Sequence, residues 1–432
     1  MSELNKKADF LESVLKVKSV EKYAFSVRES EKQELNTEGD AFKLMRTVFG
    51  GGAGVTVFAA GRKGTASGND LSEQGLTALV ESALAAAESA PEDPAHDIAP
   101  DQGSHEFRQG ACEPDFGRFF ERLKELQSAI AAAYPKVQVM QLVGDHTKSH
   151  SLYANSNGTR AESFNGSYDV TIEFSASDGE KNTGLDYAFL RTDALETPFI
   201  ELSDFHRKLS DIEKQIDPQP LSGKFEGTAV ITPGCLADFL SMTLQNYAGS
   251  GVILDGTSLW LDKVGEQVAD ERITVAFDPF DPTIVCGERV TGDGFLSEPA
   301  AVIENGVLKA HMLSLYAANK TGRPVMKNSG SGLVMKAGEQ SLEEIVSGIE
   351  KGLLVGGFSG GQPGTNGEFS GVAKNSFLIE SGRVTRAVTE TMINGNLGDM
   401  LRHVRGISRE RDVQGVFTLP YLAVDGIVIS GK

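Results

Sequence analysis

The chain has 432 residues, 40% of them hydrophobic, and its 41 basic and 60 acidic side chains give a formal net charge of −19. This length fits two domains better than one. Nucleic-acid binding depends on Lys and Arg side chains that neutralise phosphates, and the sequence has no basic stripe among its acidic residues. We therefore expect no direct binding to nucleic acid.

Cysteines and apolar runs bear on the compartment. Cys112, Cys235 and Cys286 are odd in number and far apart in the sequence, so they predict no disulfide framework. The first residues lack the apolar core of a signal peptide, and no apolar run is long enough to cross a bilayer. These features predict a cytoplasmic protein without a membrane segment.

The first half is predicted to mix helices and strands. Asp70, followed three residues later by Glu73, has the spacing of a helix cap. The run Gly50–Gly54 is predicted to be the turn of a hairpin. Apolar periodicity predicts helices at 4–15, 70–87, 115–134 and 202–216, and strands at 23–27, 42–49, 55–59 and within 137–192.

The segment Asp217-Pro218-Gln219-Pro220 is the best candidate linker. After it, the pattern predicts helices at 233–247, 342–352 and 397–404 among short strands, with hairpin turns at 304–307 and 380–383. The sequence therefore predicts an α+β fold: a mixed α/β N-terminal domain, 1–216, followed by a β-rich C-terminal domain, 221–432, antiparallel and barrel- or sandwich-like.

His146 and His150 form the most suggestive local motif, because histidines four apart share one face of a helix and can chelate zinc. Thr147 stands where a zinc peptidase of this pattern carries its catalytic Glu. The alternating apolar residues around the pair favour a strand instead. We expect structural histidines; an unfamiliar enzyme that recruits this pair is the alternative, and it predicts stoichiometric metal in the isolated chain.

Other candidate sites lack the residues that their chemistry needs. The glycine-rich stretch 356–361 lacks the Gly-Lys-Ser/Thr ending of a phosphate-binding loop. The acidic segment 278–282 lacks the ligand spacing of a calcium loop. No serine lies in a nucleophile elbow, and no histidine is near Cys235 in the sequence. We predict no catalytic centre and no cofactor.

An ordered series of motifs runs through the second half: Phe277-Asp278-Pro279-Phe280-Asp281, Gly292-Asp293-Gly294, the segments 304–309, 314–318 and 393–401, and Val424-Asp425-Gly426. In order and spacing this series resembles the PmbA/TldD family. The first half is similar more loosely, through its glycine-rich run and Asn155-Ser156-Asn157-Gly158.

This resemblance implies cytoplasmic metalloproteases that trim or degrade peptides, a family first named for modulation of DNA gyrase. Its active form pairs two related subunits, of which the TldD type binds metal through a His-Glu-x-x-x-His helix and the TldE or PmbA type does not. The matching positions here are Pro233, Gly234 and Asp238, and residues 412–416 lack the family's C-terminal cysteine ligand. The resemblance therefore implies the class without catalytic or metal-binding residues.

The expected function is a non-catalytic subunit of a TldD/PmbA-like peptidase complex, paired with a TldD-like catalytic chain and handling unfolded peptides. Gly330 and Gly332 are candidates for the close approach of a peptide backbone. The alternative is a homodimeric peptide- or protein-binding module without proteolytic activity. Both require the same fold, so the sequence leaves both open.

Overall fold

The structure, a computed structural model, describes residues 2–39 and 41–431. Within these residues the strands form two sheets, one of seven strands and one of 14. The first sheet contains β1 (Lys22–Glu38), β2 (Ala41–Ala59), β3 (Arg62–Gly68), β4 (Ser104–Gly110), β5 (Val137–Asn155), β6 (Arg160–Ala176) and β7 (Asp186–Thr192).

The first sheet has the order β3-β2-β1-β5-β6-β4, and β7 also pairs with β6. Its neighbours are antiparallel except β4 and β6, which are parallel. Long ladders dominate it: β1 and β5 stay in register from Ala24–Asn155 to Asn36–Val143.

Four α-helices of the first half are α1 (Glu3–Val17), α2 (Glu73–Ser89), α3 (Phe116–Ala133) and α4 (Phe205–Lys214). Each has one apolar stripe, as in α1, whose buried side chains recur at helical spacing: Leu4, Ala8, Leu11 and Leu15. Helices α1 and α2 share a core with β1 and β2, whereas α3 and α4 share another with β5, β6 and β7.

Two predictions for the first half are wrong in detail. The run Gly50–Gly54 is no turn but the middle of β2, because β1 pairs with it without interruption from Ser30–Gly50 to Ser26–Gly54. Ser72 rather than Asp70 caps α2, since its hydroxyl accepts from Gly75 N at 3.1 Å. Asp70 instead accepts from Ser72 N at 2.9 Å. Tertiary pairing overrode the local turn propensity of the glycines.

The second sheet holds β8 (Gln219–Pro220), β9 (Lys224–Ile231), β10 (Val275–Phe277), β11 (Ala300–Glu304), β12 (Val307–Leu308), β13 (Leu333–Met335), β14 (Lys351–Val355), β15 (Gly357–Gly360), β16 (Glu368–Lys374), β17 (Ser376–Glu380), β18 (Arg383–Thr389), β19 (Met392–Asn396), β20 (Val404–Val413) and β21 (Phe417–Ser430). Its main path is β12-β11-β10-β13-β21-β9-β14-β17-β18-β8. Strand β21 is its centre, because it pairs with β9, β13, β19 and β20.

The helices of the second half are α5 (Pro233–Ala248), α6 (Ser250–Leu254), α7 (Leu315–Thr321), α8 (Leu342–Ser347) and α9 (Leu397–Arg402). Helix α5 is buried along most of its length and packs on the sheet in the largest core cluster. The helix predicted at 342–352 ends at Ser347, because β14 pairs with both β9 and β17 from Lys351 onward.

The predicted α+β class is confirmed: helices and strands mix in the first half, and strands dominate the second. Gln219 and Pro220 of the predicted linker form β8, which pairs with β18. The first sheet ends at Thr192 and the second begins at Gln219. The division into domains 1–216 and 221–432 stays a prediction. Within residues 2–39 and 41–431, no helix has the length and apolarity to span a bilayer.

Candidate functional site

Helix α5 carries the three positions predicted to match a metal-binding helix. Thr232 precedes it with extended backbone angles, and Pro233 occupies its first turn, where no backbone donor is lost. Gly234 has open space around the position of a Cβ atom. Partial desolvation raises the pKa of the Asp238 carboxyl, and Lys208 opposes that shift. These three positions together supply a single carboxylate.

The thiol next to these positions is sealed from solvent. Cys235 is 2% exposed, and its burial raises the pKa of the thiol well above its ordinary value. A metal ligand would need the thiolate, which this environment disfavours. Among the residues that the structure describes, no three His, Cys, Asp or Glu side chains come together as a metal site would require.

A buried ionic network lies beside the start of α5. Arg207 of α4 pairs with Asp204 and with Asp211, the latter at 3.4 Å. Burial lowers the pKa of the Arg207 guanidinium, but the neighbouring carboxylates outweigh it and the net shift is upward. Burial raises the pKa of Tyr421 on β21 to about 12, which Arg207 opposes. The arginine charge is thus compensated within the protein.

Asp412 extends this network onto the second sheet. Its carboxylate accepts from Ser203 Oγ at 3.0 Å and from Gln414 Nε2 at 2.9 Å. Burial and the nearby Asp204 carboxylate raise the pKa of Asp412 to about 6. Because Ser203 precedes α4 and Asp412 lies on β20, these bonds join the two halves of the chain.

The predicted strand setting of His146 and His150 is confirmed, since both lie on β5. His146 is 1% exposed, and its Nε2 lies 2.8 Å from the carbonyl of Ala111. His150 Nε2 lies 2.6 Å from Glu162 Oε1. Four strand residues separate the two rings by roughly 13 Å. Each ring has its own protein partner, so the two do not form one chelating pair.

Gly330 and Gly332 lie in a tight turn with left-handed φ angles of 95° and 75°. A Cβ atom on Gly332 would lie 2.3 Å from the carbonyl oxygen of Asp278, and Asp278 N donates to Gly332 O at 2.7 Å. The close approach at Gly332 is therefore made by the chain's own backbone. Between the two glycines, Ser331 Oγ accepts from Glu288 N at 3.0 Å. A role of this turn in peptide binding stays a prediction.

A cavity of about 640 Å³ lies between the first sheet and the loop 286–292 of the second half. This volume lies within the range of small-ligand sites. The sheet wall presents mainly small hydroxyl side chains, namely Ser26, Thr56, Thr65, Ser67, Ser151 and Ser163. Strand alternation explains them, because their chain neighbours, such as Phe25 and Val55, point into the core beneath α1 and α2.

Arg289 is the cationic side chain of the cavity wall. Its Nη1 donates to the carbonyl of Pro279 at 2.7 Å, and the guanidinium stacks 4.2 Å above the ring centre of Phe280. Desolvation lowers the pKa of Arg289, and Cys286 and Asp278 only partly oppose this. Within residues 2–39 and 41–431, the guanidinium contacts this carbonyl and this ring, and it forms no ion pair with a carboxylate.

Glu288 also lines the cavity but is held by its neighbours. Its Oε2 accepts from Ser297 Oγ at 2.9 Å and from Ser329 N at 3.0 Å. The two charged residues of this loop therefore differ. The carboxylate of Glu288 accepts hydrogen bonds from the protein, whereas the guanidinium of Arg289 contacts a carbonyl and an aromatic ring and has no ion-pair partner among the described residues.

The fold also brings together two cysteines that are distant in the sequence. Cys112 Sγ lies 3.3 Å from the carbonyl of Gln109, and Cys286 Sγ lies 3.8 Å from the same oxygen. Burial raises the pKa of the Cys286 thiol. Neither the cavity nor this pair was predicted, because both depend on the packing of the two halves and leave no local pattern.

Sequence patterns of one family match both halves. The PmbA/TldA metallopeptidase C-terminal domain matches residues 223–431, and the PmbA/TldA metallopeptidase domain 1 matches residues 23–87. The metalloprotease PmbA of Escherichia coli O157:H7 is 25% identical over 400 residues, which cover 87% of this chain and 86% of that protein. A metalloprotease of Methanothermobacter thermautotrophicus is 28% identical over 207 residues, 44% of each protein. The match thus spans about half the length of the first curated relatives.

Solved structures agree in fold. TldE from Thermococcus kodakarensis has a TM-score of 0.84 at 20% identity, covering 98% of this chain and all of that chain. A putative modulator of DNA gyrase from Bacteroides thetaiotaomicron has a TM-score of 0.86 at 19% identity, covering both chains in full. With the patterns that match both halves, these findings place the chain in the PmbA/TldD family of metallopeptidase-like proteins.

Proposed function

We propose that this chain is the metal-free, non-catalytic subunit of a cytoplasmic TldD/PmbA-like metalloprotease complex that processes or degrades unfolded peptides. The observation that supports the proposal is the start of α5, where Pro233, Gly234 and Asp238 stand at the positions that the family resemblance matches to His, Glu and His. A zinc hydrolase needs about three protein ligands and a base that activates water. A proline and a glycine supply neither.

The surroundings of α5 support the same proposal. A catalytic metal centre keeps a position open for water or substrate. Here Asp412 is 7% exposed, and its two oxygens are taken by Ser203 and Gln414. The nearest thiol, Cys235, is buried, and its burial raises the pKa of the thiol, which disfavours the thiolate that a metal would bind. The polar groups beside α5 bond to one another and leave no open position for a metal-bound water. Hydrolysis would therefore require the metal site of a partner chain of the TldD type.

A homodimeric peptide- or protein-binding module is the second candidate, and one feature of the first sheet favours it. Strand β3 covers only Ala53–Ala59 of β2, so the outer edge of residues 41–52 has no partner strand within the described part of the chain. Met45 and Phe49 on this edge are 74% and 77% exposed. A free apolar edge can pair with a strand of a second copy.

The decisive experiment is to tag the chain in its native host, purify it gently and identify co-purifying chains by mass spectrometry. We expect near-equal amounts of a TldD-like chain that carries His-Glu-x-x-x-His. The purified pair should cleave an unfolded peptide in the presence of zinc, and this chain alone should not. A stable homodimer without a second chain would favour the binding module instead.

The metal content of the isolated chain provides an independent check. When the host is grown with zinc in the medium, we expect the purified chain to contain far less than one equivalent of metal, measured by inductively coupled plasma mass spectrometry. Stoichiometric metal that disappears in the His146→Ala variant would contradict the proposal and support an enzyme that recruits His146 and His150. A variant with Ala in place of His105, which bonds the carbonyl of Gln102, is the matched control.

A further inference from the structure

We propose that the cavity between the first sheet and the loop 286–292 binds the free carboxylate of a short peptide, with Arg289 as the group that receives it. The choice of a peptide rests on the proposed function, whereas the choice of a carboxylate rests on the cavity itself. The experiment below separates these two parts.

The charge of Arg289 is the first argument. Its guanidinium is half-buried in the cavity wall and has no ion pair with the described carboxylates. Burying a cation without a counter-charge costs free energy, and a bound anion would remove that cost. Glu288 does not serve this purpose, because Ser297 and Ser329 already donate to its carboxylate.

The orientation of Arg289 is the second argument. The bond to Pro279 O uses Nη1, and stacking on Phe280 fixes the plane of the group. An arginine has five N–H donors in a planar fork, so donors remain that can bind both oxygens of a carboxylate. The Pro279 carbonyl and the Phe280 ring hold the guanidinium in place before the ligand arrives, which reduces the conformational entropy lost on binding.

The opposite wall identifies the rest of the ligand. It bears neutral hydroxyl groups, which can bond to peptide N–H and C=O groups. Gln109 Nε2 already donates to Asn165 Oδ1 and Gly287 O, so Gln109 Oε1 and Asn165 Nδ2 are the amide groups left for a ligand. A water molecule occupies roughly 30 Å³ in the liquid. A cavity of about 640 Å³ is therefore far larger than a single small anion needs. Its size and neutral lining fit a few peptide residues ending in a carboxylate.

The test measures binding to the purified full-length chain by isothermal titration calorimetry. The probes are tetra-alanine with a free C-terminal carboxylate and the same peptide with a C-terminal amide. Because a charge-assisted bond is lost in the amide, we expect the free acid to bind at least about tenfold more tightly. Equal affinity for acid and amide, or no binding of either at millimolar concentration, would overturn the proposal.

Variants locate the effect. Arg289→Gln should lower the affinity for the free acid about tenfold or more, and Arg289→Lys should lower it less, because a charge without the planar fork remains. Arg383→Gln, an exposed arginine on β18, is the matched control and should bind as the wild type does. Wild-type affinity in Arg289→Gln would remove Arg289 from the site.

A second kind of variant guards against misfolding of Arg289→Gln. Ser26→Leu fills the cavity from the sheet wall without altering Arg289, and it should also abolish binding of the free acid. Unchanged binding in Ser26→Leu would place the peptide outside the cavity. Inorganic phosphate that binds as tightly as the peptide acid would show a general anion site and overturn the peptide assignment.

Failure of this proposal is distinguishable from failure of the proposed function. Recovery of a TldD-like chain from the native host does not depend on Arg289, so the subunit role stands or falls on that recovery alone. Tetra-alanine binding is measured on the isolated chain and does not require a partner.

Discussion

Two arginines, Arg207 beside α5 and Arg289 in the cavity wall, differ in how the protein compensates their charge. Beside α5, Arg207 has two carboxylate partners, Asp204 and Asp211, and the pKa of its guanidinium is raised. At the cavity, Arg289 has a carbonyl and an aromatic ring, and the pKa of its guanidinium is lowered. The first charge is neutralised within the protein and the second is not.

This contrast separates a structural contact from a binding surface. The ion pairs of Arg207 join residues within 204–211, and its two terminal nitrogens bond to carboxylates, while Nε and Asp204 Oδ1 are buried without a hydrogen-bond partner in the described part of the chain. Holding a cation in a cavity without a counter-charge costs free energy, and the fold does not require that cost. Ionisable groups with such perturbed pKa values cluster at functional sites. The charged groups beside α5 are therefore structural, whereas the cavity has the properties of a ligand site.

The largest expected effect is on stability, at Arg207. Arg207→Ala leaves the buried carboxylate of Asp204, 7% exposed, without its cation. Breaking a buried pair in this way costs about 3–5 kcal/mol. Urea unfolding followed by the fluorescence of Trp260, a residue of the largest core cluster, should show a loss of this size.

Two control variants sharpen the comparison. Lys263→Ala breaks an exposed pair with Glu266 and should cost about 1 kcal/mol or less. Arg289→Gln removes no ion pair and should cost about 1 kcal/mol, the value of one hydrogen bond. If Arg289→Gln destabilised the chain as much as Arg207→Ala does, the two arginines would both be structural, and the contrast would fail.

The next effect is a pH dependence at Asp412. Its pKa is raised from 3.8 to about 6 in the folded protein, so folding disfavours the ionised form. The contribution of this group to stability is therefore complete below pH 3.8 and is lost as the pH rises through 6. The 2.2-unit difference corresponds to about 3 kcal/mol.

Asp412→Asn removes this titration. The free energy of unfolding of the variant, minus that of the wild type, should rise between pH 4 and pH 6 and stay constant above. Ser203→Ala removes a hydrogen bond that favours the ionised form, so the pKa of folded Asp412 should rise further. When Asp412→Asn is added to Ser203→Ala, the difference should therefore keep rising to a higher pH before it becomes constant. A difference that does not change with pH would show that Asp412 is not held in a desolvated setting.

The elements with strong apolar periodicity were predictable from the sequence. The third helix was predicted at 115–134 and is α3, Phe116–Ala133, because one amphipathic face and the Asp115 cap agree. Helix α5 and both hairpin turns, at 304–307 and 380–383, were likewise correct. The family motifs added the class of protein, which single residues did not supply.

The features that depend on distant packing were not predictable. Gly50–Gly54 has the composition of a turn, and only its pairing with β1 makes it a strand. Arg289 has no motif around it in the sequence. Its importance follows from Pro279 and Phe280, which bind it, and from the first sheet, which closes the cavity. Sequence spacing therefore proposed Pro233, Gly234 and Asp238 as the family's metal positions, which stays a prediction, and it gave no sign of the cavity.

The smallest expected effect concerns Gly330 and Gly332, the glycines predicted from the sequence to contact a peptide. Both have left-handed φ angles, so an alanine strains the backbone at either. Only at Gly332 does the added Cβ atom collide with the Asp278 carbonyl; at Gly330 the nearest atom, on Phe277, is 3.8 Å away. Gly332→Ala should therefore displace the Asp278–Phe280 segment that positions Arg289, whereas Gly330→Ala should not.

We expect Gly332→Ala to weaken the binding of tetra-alanine free acid by about three- to tenfold, part of the effect of a lost charge-assisted bond, and Gly330→Ala to change it less. Calorimetry on both variants measures this difference, and circular dichroism checks that each is folded. The amide peptide should respond equally little to both, because it lacks the carboxylate that Arg289 receives. A larger loss in Gly330→Ala would instead indicate direct contact between this turn and the peptide backbone, which is the interpretation that the sequence suggested.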